Sequence, residues 1–393
     1  MAQGWLQIRY TGGGVWQMKK PSKEKLIMWV LVFLALAGLT VRFLHREYSL
    51  ASVLSSIKEA DPIWLLPGVG AMALFFVCEG ANIGRSLRLV GHNISRTDEI
   101  RYAMAGFFFS SITPSASGGQ PMQLYFMHKD RLPLSHSSLA LLTELTSFQA
   151  AAATLALAGL VCQRGSVLAA GSGMGASAGA STAAGPDSGL AGFGAGAGAG
   201  LAAAGGILTT AVLAVGILIS AAVLVLLLFM IFSPSAARIA ISPVLWLTDK
   251  INPQNAATVR IRLLRGICEY RRASLYITKN PCAIAKIFLT SVIQLLACFS
   301  ITFCVCRSLG ISGLSWASIT LCQAALYVAV STLPLPGAVG VTEGGFAVIF
   351  ASLIPPELMG VAIILSRFIS FALPLVASGI GTLLLGGMPE HDS

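Results

Sequence analysis

Charge is scarce in this chain. Only 11% of its residues are Asp, Glu, Lys or Arg, against 55% hydrophobic residues, and its mean hydropathy is +0.79. Soluble domains carry about a quarter charged residues, so a soluble fold is excluded and a multi-spanning membrane protein is expected. Acids are scarcer than bases, 16 against 26, which leaves a net charge of +10. The basic residues flank apolar runs, so the excess reads as membrane topology rather than DNA binding. Aromatics make up only 8%, and the apolar runs are long rather than alternating, which excludes an outer-membrane barrel and favours helices. The eight cysteines form no C-x-x-C pair. Most lie inside apolar runs (Cys78, Cys162, Cys298, Cys304, Cys322), where they act as small buried hydrophobes. Cys304 and Cys306 face different sides of a helix, so neither a metal site nor a disulfide is assigned. The G-x-x-x-x-G-K-[ST] phosphate loop is also missing, so no ATP-driven pump and no cofactor is implied.

A transmembrane helix needs about 20 apolar residues. On that measure six full spans are expected, at 26–44, 62–84, 136–162, 207–232, 282–305 and 358–385. Lys19, Lys20, Lys23 and Lys25 precede the first. A basic flank and the Ala35-Leu36-Ala37 stretch resemble a signal peptide, but the apolar run continues beyond them, so an uncleaved helix is favoured. The chain divides into a basic N-terminus (1–25), a first half (26–162), a Gly/Ala-rich flexible loop (163–206), a second half (207–385) and a tail (386–393). The second half holds a basic segment, 234–281, whose apolar residues Ile261, Leu264, Cys268 and Leu275 suit a helix lying on the inner leaflet. Topology determination alone would account for its arginines equally well.

Two apolar stretches are broken by proline and glycine, one in each half. The segment 103–126 is interrupted between Pro114 and Pro121, and 314–354 is interrupted around Leu333 to Gly345. Irregular backbone at membrane depth is tolerated only where protein buries it or water lines it. A pair of such breaks, one per half, points to a transporter-type substrate site. Both are expected to be re-entrant hairpins. Basic stretches at 19–25, 85–101, 128–131 and 238–279 fall on one side if both termini are cytoplasmic, and the hairpins then enter from opposite faces, as an inverted repeat requires.

Intramembrane ionisable groups are costly and therefore functional candidates. Glu144 lies about 12 Å into its span and Arg367 about 15 Å into the last, at 1.5 Å per residue. Glu343 sits in the second break. Arg367 reads either as half of a structural salt bridge to Glu343 or Glu144, or as a cation facing an anionic substrate group. Glu79 and Asn82 lie near the end of the second span, where Glu79 can reach the interface or pair with Arg85. Pro114, Gly118, Gly119, Pro336, Gly337 and Gly340 are expected at hairpin tips, with Thr113, Ser117, Gln120 and Thr342 adding polar contacts. The alternative for the glycines is close helix packing.

These residues resemble the transmembrane region of the lysylphosphatidylglycerol synthase (flippase-like) family. The carriers are Ile112-Thr113-Pro114-Ser115-Ala116-Ser117-Gly118-Gly119-Gln120-Pro121, Glu144, Leu335-Pro336-Gly337-Ala338-Val339-Gly340-Val341-Thr342-Glu343, and Arg367. The likeness extends from about Leu26 to Leu385. Where many relatives carry Glu and Arg after the paired glycines, this chain has Gln120 and Gln123; where many carry Arg and an acid after Glu144, it has Leu145 and Phe148. The resemblance implies an all-α polytopic protein of the bacterial plasma membrane that translocates a (lysyl-)phosphatidylglycerol-type or other anionic, lipid-linked substrate. Its partner would be a membrane phospholipid with an anionic or aminoacylated head group. In this family aminoacyl transfer resides in a soluble domain, for which the chain has no room after its last span. The rivals are therefore a phosphatidylglycerol lysyltransferase acting with a separate aminoacyl-transferase partner, and a non-transporting scaffold.

Overall fold

The computed structural model describes residues 8–10, 16–18, 55, 57–113, 116–173, 215–233, 242, 265–266, 268–276, 279–331, 341–351 and 353–386. The expected first span, 26–44, lies outside the described residues. So do the hairpin-tip residues Pro114, Pro336, Gly337 and Gly340. Apart from a short antiparallel pair, β1 (Ile8–Tyr10) and β2 (Trp16–Met18), the described chain is helical. Its helices are α1 (Pro62–Leu89), α2 (Arg96–Ile112), α3 (Gly119–Lys129), α4 (Leu134–Gly173), α5 (Val215–Phe232), α6 (Pro281–Ser308), α7 (Trp316–Ser331), α8 (Val341–Ile349), α9 (Pro356–Arg367) and α10 (Leu373–Gly386). A π-helical turn, Phe368–Ala372, joins the last two.

Five stretches are long and apolar enough to cross a membrane: Pro62–Leu89, Leu134–Gly159, Val215–Phe232, Pro281–Ser308 and Pro356–Leu385. They coincide with the five expected spans that fall among the described residues. The molecule is a multi-pass membrane protein, and its side chains are arranged to match. Ile63, Leu66, Val77, Leu218, Leu383 and Leu384 are exposed on the outside, while Asn82, Ser137, Glu144, Ser291 and Gln294 are buried. Lipid takes the place of water as the outer solvent, so apolar residues face out and polar groups find partners within.

Three boundaries differ from expectation. Helix α1 runs to Leu89 rather than stopping near residue 84. Helix α2 starts at Arg96, ahead of residue 103, because its charges are mutually paired: Glu99 accepts from Arg88 and Arg96, each at 2.7 Å. Helix α4 continues to Gly173, so residues 163–173 extend the span instead of opening the Gly/Ala loop. Alanine is the strongest helix former, and no proline interrupts these residues. The rest of that loop lies outside the described residues.

Both halves repeat one pattern: a long helix, a broken pair, then a long helix. The first is α1, α2/α3, α4; the second is α6, α7/α8, α9–α10. The packing obeys the exchange between them. Helix α1 packs on α2 as α6 does on α7, α3 on α4 as α8 on α9, and α2 on α10 as α7 on α4. The equivalent helices α1 and α6 run antiparallel. Asp61 N donates to Ser308 O at 2.9 Å at one end, and Asn82 Nδ2 donates to Ser291 Oγ at 3.1 Å toward the other. A twofold exchange relating antiparallel helices is the arrangement of an inverted repeat. The broken pairs follow the C-terminal ends of α1 and α6, so they start from opposite ends of the bundle.

Candidate functional site

In the second broken pair, Thr342 and Glu343 fall in the first turn of α8, and Arg367 closes α9. The π turn follows Arg367 directly. Pro374 supplies the reason: it has no N–H to offer the carbonyl of Ser370, and its ring crowds that oxygen, so the turn widens. Arg367 Nε donates to Glu343 Oε1 at 2.8 Å, and its guanidinium lies over the Phe371 ring at 4.7 Å. The Glu343 side chain is 5% exposed and that of Arg367 22%. The pair thus sits inside the bundle, and both residues line a cavity of ≈ 220 Å³. Thr302, Gln323, Tyr327, Ser331 and Ser370 line the same cavity. Thr302 Oγ1 donates to Gln323 Oε1 at 3.3 Å, while the Ser366 hydroxyl is buried without a hydrogen-bond partner. An arginine with hydroxyls around it, in a space largely closed to bulk water, suits an anionic group with several acceptor oxygens.

The first broken pair is tighter. Thr113 caps α2: its Oγ1 donates to Phe109 O at 2.6 Å and accepts from Gly118 N at 2.9 Å. Ser110 Oγ reaches Ala116 O at 3.3 Å, and Ala116 sits at φ +51°. A Cβ at Gly118 would stand 2.6 Å from Thr113 Cγ2, and one at Gly119 2.8 Å from Gly106 O. These glycines therefore let the two arms close on each other. Ser117 is exposed and Gln120 half-buried. At the open end of the hairpin, Asp130 accepts from Arg101 and from Tyr102 Oη, the latter at 2.5 Å, which clamps α3 to α2.

Glu144 is buried on α4 and does not meet Arg367. It stands within Coulombic reach of Glu79 on α1. Nor does Glu79 turn outward to Arg85. It accepts from Gln294 Nε2 of α6 at 2.7 Å, with the Gln123 side chain beside it, while Arg85 bonds Asn82 Oδ1 at 3.2 Å and Thr290. The interface reading of Glu79 gives way because α1 continues ten residues beyond it. At 1.5 Å per residue Glu79 is about 15 Å from that helix end.

The structure therefore joins Thr342, Glu343 and Arg367 around one cavity, sets Glu144 within Coulombic reach of Glu79 and Tyr327, and keeps Thr113, Gly118 and Gly119 in the other hairpin's tip. Pro114, Pro336, Gly337 and Gly340 lie outside the described residues. The residues missed by sequence reasoning are Gln294, Tyr327 and Gln323. Each is a polar side chain inside an otherwise apolar run, a signal that could have been used.

The chain is similar over residues 28–186 and 188–378 to the family described as "Lysylphosphatidylglycerol synthase TM region". It is also 21% identical over 345 residues, covering 87% of this chain and 91% of the relative, to a "UPF0104 membrane protein" of Archaeoglobus fulgidus. With the family likeness spanning nearly every helix described above, the chain belongs to the lysylphosphatidylglycerol synthase transmembrane-region family.

Proposed function

We propose that this protein moves a phospholipid with an anionic or aminoacylated head group between membrane leaflets. The observation that carries the reading is the Arg367–Glu343 pair, held at 2.8 Å on the wall of the hydroxyl-lined cavity where the second broken helix meets the π turn. A head-group phosphate competes with Glu343 for the guanidinium. A lysyl head group brings its own cation, which Glu343 can take up as Arg367 turns to the phosphate. Either exchange opens the ion pair when substrate arrives and re-forms it when substrate leaves, and with a lysyl head group neither buried charge is left unpaired. The inverted repeat supplies two arrangements of similar energy for alternating access, and membership of a lipid-related membrane family favours a lipid over a soluble anion. The reading places the protein in the bacterial inner membrane with both termini cytoplasmic.

The test is a leaflet-resolved assay. Purified protein is reconstituted into vesicles containing head-group-labelled phosphatidylglycerol or lysyl-phosphatidylglycerol, and a membrane-impermeant quencher reports the outer-leaflet fraction. Movement faster than in empty vesicles, lost in Arg367→Met, is the expected outcome. Rates equal to empty vesicles across both lipids sink the proposal. Labelled lipid formed by the chain alone from lysyl-tRNA and phosphatidylglycerol would replace it with the transferase reading.

A further inference from the structure

The described residues hold a second polar centre inside the bundle, built around two acids. Glu79 on α1 and Glu144 on α4 approach each other from helices whose adjoining ends meet, since His92, just beyond α1, bonds His136 in the first turn of α4 at 2.8 Å. Each acid lies ten residues from that end, about 15 Å deep by helix rise. Glu79 is satisfied on one oxygen by Gln294 Nε2. The other half of that amide, Gln294 Oε1, is fully buried and has no hydrogen-bond partner among the described residues. Glu144 is 5% exposed, and among the described residues it has neither a hydrogen bond nor an ion pair.

The cations nearby are committed elsewhere. Arg85 holds Asn82 and Thr290, Arg101 holds Asp98 and Asp130, Arg88 and Arg96 hold Glu99, and Arg367 holds Glu343. The titratable neighbour within reach of both acids is Tyr327 from α7, with Cys298 of α6 beside it; from α3 comes the neutral Gln123. The two carboxylates carry unbalanced negative charge, and among the described residues Glu144 and the Gln294 amide oxygen lack a hydrogen-bond donor. One proton meets both needs: it removes one charge and turns an acceptor into the missing O–H donor. Hard metal cations take about six or more oxygens, and this cluster falls short of that.

We propose that Glu79, Glu144 and Gln294 form a proton-binding site, and that its proton is the coupling ion for movement in the adjoining cavity. Tyr327 lines that cavity and also lies within Coulombic reach of both acids, so the two sites share this side chain. The coupling clause rests on the lipid-translocation reading; the proton site does not.

The test uses a hydrophobic carbodiimide, dicyclohexylcarbodiimide, which reacts with protonated carboxyls in apolar surroundings. The intact purified chain is treated at mildly acidic and at alkaline pH, in sodium and in choline salts, and the adducts are mapped by mass spectrometry. Expected is labelling of Glu79 or Glu144 that is lost at alkaline pH and indifferent to sodium. Absence of labelling at every pH overturns the site, and protection by sodium replaces the proton with a metal cation. In vesicles, an imposed pH gradient should accelerate lipid movement by wild type severalfold and leave Glu144→Gln unchanged. Equal acceleration in both overturns the coupling. Lipid movement absent throughout, with labelling intact, refutes the translocation reading and the coupling while supporting the proton site. Glu→Gln conserves shape, and the wild-type labelling result needs no variant at all.

Discussion

Removing both members of the Arg367–Glu343 pair should cost less than the sum of the two single losses. The contact is 2.8 Å, with the glutamate 5% and the arginine 22% exposed. Charges about 4 Å apart at an effective dielectric of about 20 attract by about 4 kcal/mol. Much of that offsets the cost of taking both ions out of water. Stacking of the guanidinium on Phe371 adds about 1 kcal/mol at a half-open position. Arg367→Met keeps the packing stem, deletes the charge and strands a buried carboxylate, so a loss of about 3 kcal/mol is expected. Glu343→Gln leaves an arginine that still reaches the cavity, which reduces the loss to about 1–2 kcal/mol because the cation is not trapped dry.

The double variant removes the stranded charge together with its partner. It should recover about 2 kcal/mol relative to the sum of the single losses, the size of coupling measured between contacting charges. The measurement is unfolding in mixed micelles with increasing SDS, followed by tryptophan fluorescence, for all four proteins. Additive losses would refute the claim that the two charges sustain each other. Lipid movement read on the same four proteins separates stability from function: the double variant should regain stability and stay inactive.

Other outcomes follow from the packing. Gly80→Ala should destabilise by about 1–3 kcal/mol, because the new Cβ would stand 2.8 Å from the Glu99 carbonyl in the α1–α2 seam; Gly70→Ala, with nothing within 4 Å, should be neutral or gain up to about 1 kcal/mol in the same SDS titration. Asp130→Asn should loosen the first hairpin by leaving Arg101 with Asp98 alone and weakening the hold on Tyr102, at about 1–2 kcal/mol, seen as faster amide exchange at residues 116–119. Burial, reinforced by the charge of His136, holds the His92 imidazole below its ordinary value of 6.5. The fold therefore prefers it neutral: the stability it contributes is complete above that value and is lost as pH falls through it. Unfolding titrations at a series of pH values should show a steeper acid-side loss in wild type than in His92→Asn, and parallel curves would refute the assignment.

The spans and both broken pairs were legible because each rests on local composition. Twenty apolar residues or a cluster of prolines and glycines can be seen without knowing what lies opposite. The Arg367–Glu343 pair was legible for a related reason: each is a lone charge in an apolar run, and few partners were available to either. What sequence reasoning missed depends on contacts distant in the chain. Glu79 looked interfacial because Arg85 follows soon after it, yet its partner Gln294 is 215 residues away. The early start of α2 was hidden in the same way. Its charged first turns look unsuited to a buried helix until Gly80 and Gly84 of α1 are seen to make room for Glu99. The π turn was written in Pro374, but its consequence depends on what occupies the widened turn, and only the fold shows that this is Phe371, under Arg367. Local signals thus located the elements, while antiparallel α1 and α6 decided which polar groups face one another. Those facing groups, an ion pair on the cavity wall and an acid pair within Coulombic reach of Tyr327, carry the two proposals, and perturbing them separately will distinguish substrate binding from ion binding.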